Sequence, residues 1–87
     1  MSYFVYILIS INSKSNPTYV GYTSNLQKRL KLHNTSKGAK FTRGRKWKII
    51  YKKRYNNKKI AMQNEYKIKN DLKHRRLIKS KFLEKIL

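Results

Sequence analysis

Only one stretch of this chain is long and apolar enough to be buried: Tyr3 to Ser10, YFVYILIS. It is dominated by β-branched and aromatic residues and runs straight into turn residues, so it reads as a buried strand. Extended to Ile11, the run is still too short to cross a bilayer. No basic segment precedes it and no small-residue cleavage site follows it, so neither a signal peptide nor a membrane contact is expected, and the expected location is cytoplasmic. Eighty-seven residues make one small domain, 1–87, too short for two independent cores. Cysteine is absent, which removes disulfides, thiolate metal sites and cysteine nucleophiles from consideration.

Around that strand the chain is crowded with positive charge. There are 23 Lys plus Arg against three acids, a formal net charge of +20. A charge of that size attracts a polyanion. AT-rich coding would supply Lys, Asn and Ile, but would not by itself remove acids, and only Glu65, Asp71 and Glu84 are present. Nucleic acid is therefore the expected partner, ahead of a solvated basic surface or a membrane surface.

The remaining elements follow from pattern. Asn12 to Pro17 has turn chemistry. Thr18 to Thr23 (TYVGYT) reads as a second strand, antiparallel to the first, with Gly21 marking a bulge or a close backbone approach. Ser24 and Gln27 have capping-box spacing for a helix running to about His33, with Leu26, Leu30 and His33 on one face. Asn34 to Arg45 is a basic, Gly-containing loop. Lys46 to Tyr55 alternates as a half-buried strand, with Trp47, Ile49, Tyr51 and Tyr55 on one face. After a turn at Asn56 and Asn57 comes a helix to about Leu72, and a last helix runs from His74 to Leu87. The order β-β-α-β-α-α predicts an α+β fold, a small three-stranded antiparallel sheet flanked by helices.

Within that frame one acid is out of place. Ala61, Glu65, Ile68 and Leu72 recur at the spacing of a single helix face. A carboxylate on such a face is costly unless it is paired, hydrogen-bonded or bound to a metal. One of the many Lys or Arg could hold it, which is the bland reading. Other residues favour a site. Tyr6 and Tyr19 lie in the first two strands, Gly21 permits close approach, and Arg29 and His33 are neighbours at i and i+4 on the first helix. Each type has work in phosphodiester hydrolysis. A hard cation takes oxygen ligands and keeps waters, so one carboxylate plus substrate phosphate can hold it. Arg offers a planar fork to phosphate oxygens. A Tyr phenol becomes a usable base when nearby cations lower its pKa, and His can orient the Tyr or relay a proton.

The ordered set Phe4-Val5-Tyr6, Tyr19-Val20-Gly21, Arg29, His33 and Glu65 resembles the GIY-YIG nuclease domain. The second motif matches well; the first keeps its Tyr but has Phe4 where the family name has Gly. The loop from Lys37 to Arg43 and the stretch Glu65 to Lys69 resemble most closely the small single-domain bacterial branch, the YhbQ-like group. The resemblance runs from about Tyr3 to Leu77. It implies a divalent-metal-dependent endonuclease using Mg²⁺ or Mn²⁺. Tyr6 or Tyr19 would assist the attacking water, with His33 beside them, Arg29 would hold the scissile phosphate, and Glu65 would bind the metal. Nucleic-acid contacts are expected at Gly21 and the loop cations Lys40, Arg43 and Arg45. DNA is favoured, in single-stranded or branched form. A monomer is expected, with a protein partner as one means of targeting, because this chain has no room for a separate recognition domain. The rival readings are a non-catalytic nucleic-acid-binding module on the same fold and a basic structural protein of a nucleoprotein particle.

Overall fold

The apolar run becomes the middle of a sheet. In the computed structural model, which describes residues 2–86, β1 (Tyr3–Ser10) lies between β2 (Thr18–Thr23) and β3 (Trp47–Tyr55), antiparallel to both. A central strand covered on both faces needs no polar alternation, and Val5 through Ser10 are all buried. The helices α1 (Leu26–Asn34), α2 (Lys58–Asn70) and α3 (Leu72–Ile86) complete the order β-β-α-β-α-α. The predicted α+β class and strand directions are those found.

The two faces of the sheet are packed differently. On one, Val5, Ile7 and Val20 meet Ala61 and Ile68 of α2, with Ile50, Tyr51 and Ile78 against them. On the other, Tyr6 and Leu8 meet Leu26 of α1 and Trp47, with Tyr19, Leu30 and Ile49 alongside. The division of β3 between these clusters corrects the expectation that Trp47, Ile49, Tyr51 and Tyr55 share a face. Ile7 pairs with Tyr51 but Leu8 pairs with Ile49. Ile50 is thus an extra residue, a β-bulge, and side chains before it point to the opposite face from the regular continuation. Trp47 and Ile49 pack toward α1; Tyr51 and Tyr55 pack toward α2 and α3.

The helix boundaries also differ in detail. Asn25, not Ser24, caps α1: its side chain accepts from the Lys28 backbone N–H at 3.1 Å. Both residues are good caps, and Asn25 holds the extended backbone a cap requires. Asn34 ends α1 rather than opening the loop, and it clamps β3. Its Oδ1 accepts from the Trp47 N–H at 2.6 Å and its Nδ2 donates to the Trp47 carbonyl at 3.2 Å. The basic loop is not structureless: Lys40–Thr42 form a 3₁₀ turn. Leu72 belongs to α3, is exposed and leaves the α2 stripe, because Asp71 breaks the helix and accepts from the His74 N–H at 3.0 Å. The expected last residue of the final helix, Leu87, lies outside the described residues.

Candidate active site

Tyr6 sits in the central strand, and its side chain reaches sideways across Gly21 of the edge strand β2, its register partner. A Cβ on Gly21 would lie 2.6 Å from the Tyr6 phenol oxygen. Gly21 therefore marks a close approach, made by a side chain of the protein itself; the bulge is elsewhere, at Ile50. The phenol meets His33, which is fully buried at 0% exposure. Tyr6 Oη lies 2.9 Å from His33 Nε2, and His33 Nδ1 lies 2.9 Å from Thr42 Oγ1.

The direction of this chain follows from counting protons. The Thr42 hydroxyl has one proton and donates it to the Ala39 carbonyl at 2.8 Å. Toward His33 it can therefore only accept, so Nδ1 carries the ring proton. Nε2 is then bare and accepts from the Tyr6 O–H. This arrangement leaves the Tyr6 oxygen an acceptor toward the adjoining space, where the Arg29 guanidinium lies beside it.

That space is a cavity of about 260 Å³ lined by Tyr6, Tyr19, Gly21, Arg29, Glu65 and Lys69, among others. It wraps the open edge of β2, with α1 supplying Arg29 from one side and α2 supplying Glu65 from the other. Five of the residues expected at the site are thus brought to one place. His33 stands behind them, in contact with Tyr6 and 5.1 Å between ring centres from Tyr19. Lys40, Arg43 and Arg45 do not line the cavity. Arg45 instead lies over the Phe41 ring, 5.2 Å from its centre, and Phe41 stacks on Tyr19 at 6.3 Å and 20°.

The electrostatics differ from expectation at one point. Burial raises the Tyr6 phenol above its ordinary pKa, and the Arg29 guanidinium beside it pulls the other way without overcoming it. The lowering by cations that sequence reasoning anticipated is outweighed, in the protein alone, by desolvation. Burial also lowers His33, with help from the Arg29 charge, to about 4. Its imidazole is therefore neutral at pH 7, as the hydrogen-bond chain requires.

The Glu65 side chain is 16% exposed and pairs with Lys69, one turn on, with Nζ 3.5 Å from Oε1. Lys69 is 58% exposed, and a pair this open contributes little. Among the described residues no three His, Cys, Asp or Glu stand together. A single carboxylate opening on a cavity that also holds an Arg fits a hard cation that keeps its waters and shares a phosphate ligand.

The model of a family described as the GIY-YIG catalytic domain matches residues 2–79. The chain belongs to that family. In this GIY-YIG domain the first motif is central strand and the second is edge strand, which is why Tyr6 and Gly21 meet. The family is nuclease-type and implies interaction with nucleic acid. Among its relatives, the UPF0213 protein OB0043 of Oceanobacillus iheyensis is 48% identical over 68 residues, 77% of this chain and 76% of that one. The UPF0213 protein YazA of Bacillus subtilis is 41% identical over 69 residues, covering 78% and 67%. The solution NMR structure of the UPF0213 protein BH0048 from Bacillus halodurans aligns over 93% of this chain and 86% of its own, with a TM-score of 0.51 and 36% identity. Two members of the site escaped the sequence reading. Thr42, nine residues past His33, orients it through tertiary contact alone. Gly38 packs on the same ring, and a Cβ there would lie 2.5 Å from His33 Nδ1. Lys69 did carry a signal, its i+4 spacing from Glu65.

Proposed function

We propose that this protein is a divalent-metal-dependent endonuclease that hydrolyses phosphodiester bonds in DNA, as a single domain over residues 1–87. The observation that carries the reading is the convergence of Tyr6, Tyr19, Arg29 and Glu65 on one cavity in a chain of net charge +20. Arg29 binds the scissile phosphate and offsets the charge that grows on it in the transition state. Tyr6 accepts a hydrogen bond from the attacking water while its own proton is directed at His33. A phosphate on Arg29 offsets the charge that now disfavours protonated His33, so substrate binding makes the imidazole a better terminal base. Tyr19 forms the cavity wall against His33. Glu65 is the ligand for Mg²⁺ or Mn²⁺, which when bound supplies Lewis-acid polarisation of the phosphate.

The exposed Phe41, half of whose surface is open, favours a single-stranded or otherwise unpaired substrate, since an aromatic face stacks on bases that are not already in a duplex. Gly21, Lys40, Arg43 and Arg45 contribute to nucleic-acid binding, the three cations by holding backbone phosphates outside the cavity. One observation favours a non-catalytic binding module instead: the Lys69 ammonium gives Glu65 a partner without any metal.

The test is Glu65→Gln. Labelled single-stranded, duplex and branched DNA are incubated with each protein in Mg²⁺, Mn²⁺ or chelator. Loss of metal-dependent cleavage with affinity equal or higher supports the nuclease. A Gln variant that cuts at near the parental rate ends the metal-ligand assignment. Parental protein that binds but never cuts establishes the module.

A further inference from the structure

A second cavity, of about 400 Å³, lies between the β1–β2 turn and the start of α3. Its lining includes Arg75, Arg76 and Lys79, together with Ser15 and Thr18, and, among the described residues, no carboxylate. Arg75 and Lys79 are one turn apart on α3 and so share a face. Lys79 Nζ donates to the Ser15 carbonyl at 2.7 Å, which tethers the helix to the turn. Arg75 is only partly exposed, and its Nε is buried without a hydrogen-bond partner among the described residues. The nearby acid, Asp71, accepts from the α3 backbone at His74. A guanidinium stays charged and offers donors only. A buried donor left unmade, among like charges, asks for an anion with several acceptor oxygens.

The position of the cavity indicates which anion. Thr18 is the residue before Tyr19 on the same edge strand, and Tyr19, Val20 and Gly21 line the candidate active site. A strand rises about 3.3 Å per residue, so Thr18 and Gly21 are about 10 Å apart. A stacked nucleic-acid strand advances about 3.4 Å per nucleotide, so one strand following this edge reaches both cavities within about three nucleotides. We infer that the Arg75–Arg76–Lys79 cavity binds a backbone phosphate about three nucleotides along the same strand from the phosphate that occupies the Arg29 cavity. This rests on the nucleic-acid reading above. It adds a second anchoring point, which sets the direction in which the strand lies across the edge of the sheet.

The test compares the parental protein with Arg75→Gln and, separately, Lys79→Gln. Binding to a single-stranded oligonucleotide of about ten nucleotides is followed against salt. Each variant should bind more weakly, and the log–log slope should fall by about 0.7, the share of one single-strand phosphate. KM should rise several-fold for that oligonucleotide with kcat kept, and should not change for a dinucleotide too short to reach the cavity. For Arg75→Gln, removing a like charge should leave the melting temperature level or higher, whereas loss of a structural contact would lower it; Lys79→Gln also loses the tether to Ser15 and is read by salt slope and KM alone. An unchanged salt slope overturns the inference, as does equal damage on long and short substrates. Inorganic phosphate perturbing the Thr18 and Arg75 amides while the oligonucleotide slope stays put would mean a free-anion site, and also overturns it. Glu65→Gln separates the two readings: if it still cleaves, the metal-ligand assignment fails, yet Arg75-dependent binding remains measurable in the same protein.

Discussion

The central strand serves two interiors that could hardly be less alike. Toward α2 it presents Val5 and Ile7 to Val20, Ala61 and Ile68, a dry aliphatic contact with nothing to orient. Toward α1 it presents Tyr6 to His33, and behind that ring Thr42 and the Ala39 carbonyl form a buried hydrogen-bonded line. Apolar packing tolerates repacking and supplies stability in proportion to area. A buried polar line works only if every member is satisfied, and it fixes direction as well as position. The comparison assigns the two faces different labours: one holds the molecule folded, and the other aims a phenol into a cavity.

The sharpest way to break that division is a substitution on the dry face. Ile7 is fully buried, and Ile7→Ala should cost about 2–5 kcal/mol of stability, read by denaturant unfolding. Cleavage per folded molecule should stay near the parental value. A comparable loss of activity with intact folding would show that the faces are coupled. On the other side, Arg29→Ala should reverse the pattern. Stability should change little, while cleavage falls by about 10²-fold or more and binding falls far less. Arg29→Lys should rescue only in part, because an ammonium lacks the bidentate fork.

Acid should act on the polar face through His33. His33 is neutral when folded and resists protonation down to about 4, whereas in the unfolded chain it protonates near its ordinary value of 6.5. Between those values the unfolded state binds more protons, so stability falls as pH drops from 6.5 toward 4. The loss is up to about 3 kcal/mol from this one group, at 1.36 kcal/mol per pKa unit. It should vanish from the stability–pH profile of His33→Gln. The smallest effect belongs to Lys69, the rival cation at Glu65. With an exposed pair worth roughly 0.2–1 kcal/mol, Lys69→Met should lower the Mg²⁺ needed for half-maximal cleavage by up to about fivefold. No change would mean that Lys69 does not compete for the carboxylate.

Particular residues show why some of this was legible from sequence. Tyr3–Ser10 could be read because burial on both faces leaves an unbroken apolar run. Glu65 could be read because a helix repeats faithfully, and a carboxylate between Ala61 and Ile68 stands out against a 3.6-residue period. The Ile50 bulge could not, because an inserted residue leaves the alternation of Trp47, Ile49 and Tyr51 intact while reversing what it means. Ser24 and Asn25 are both competent caps, and the choice between them is made by the chain's path out of β2. Thr42 and Gly38 have no periodic signature; their importance exists only once the loop folds over the His33 ring. The burial that raises the Tyr6 phenol was illegible for a related reason, since cations are countable in a sequence and desolvation is not.

The bulge has a consequence for which changes the protein can tolerate. Substitutions alter one side chain at a time, but the placement of Trp47 depends on odd-and-even counting along β3. Deleting Ile50 itself would leave Ile49 on Leu8 and Trp47 on Ser10, whereas deleting Lys48 would pair Trp47 with Ile9 and turn it toward the α2 face. The Trp47 indole N–H would then lose the Thr42 carbonyl, which it now meets at 3.0 Å, and the loop holding His33 would lose its peg. A one-residue deletion in an edge strand, leaving every residue of the candidate active site in place, is thus a more damaging lesion than many replacements nearer the cavity.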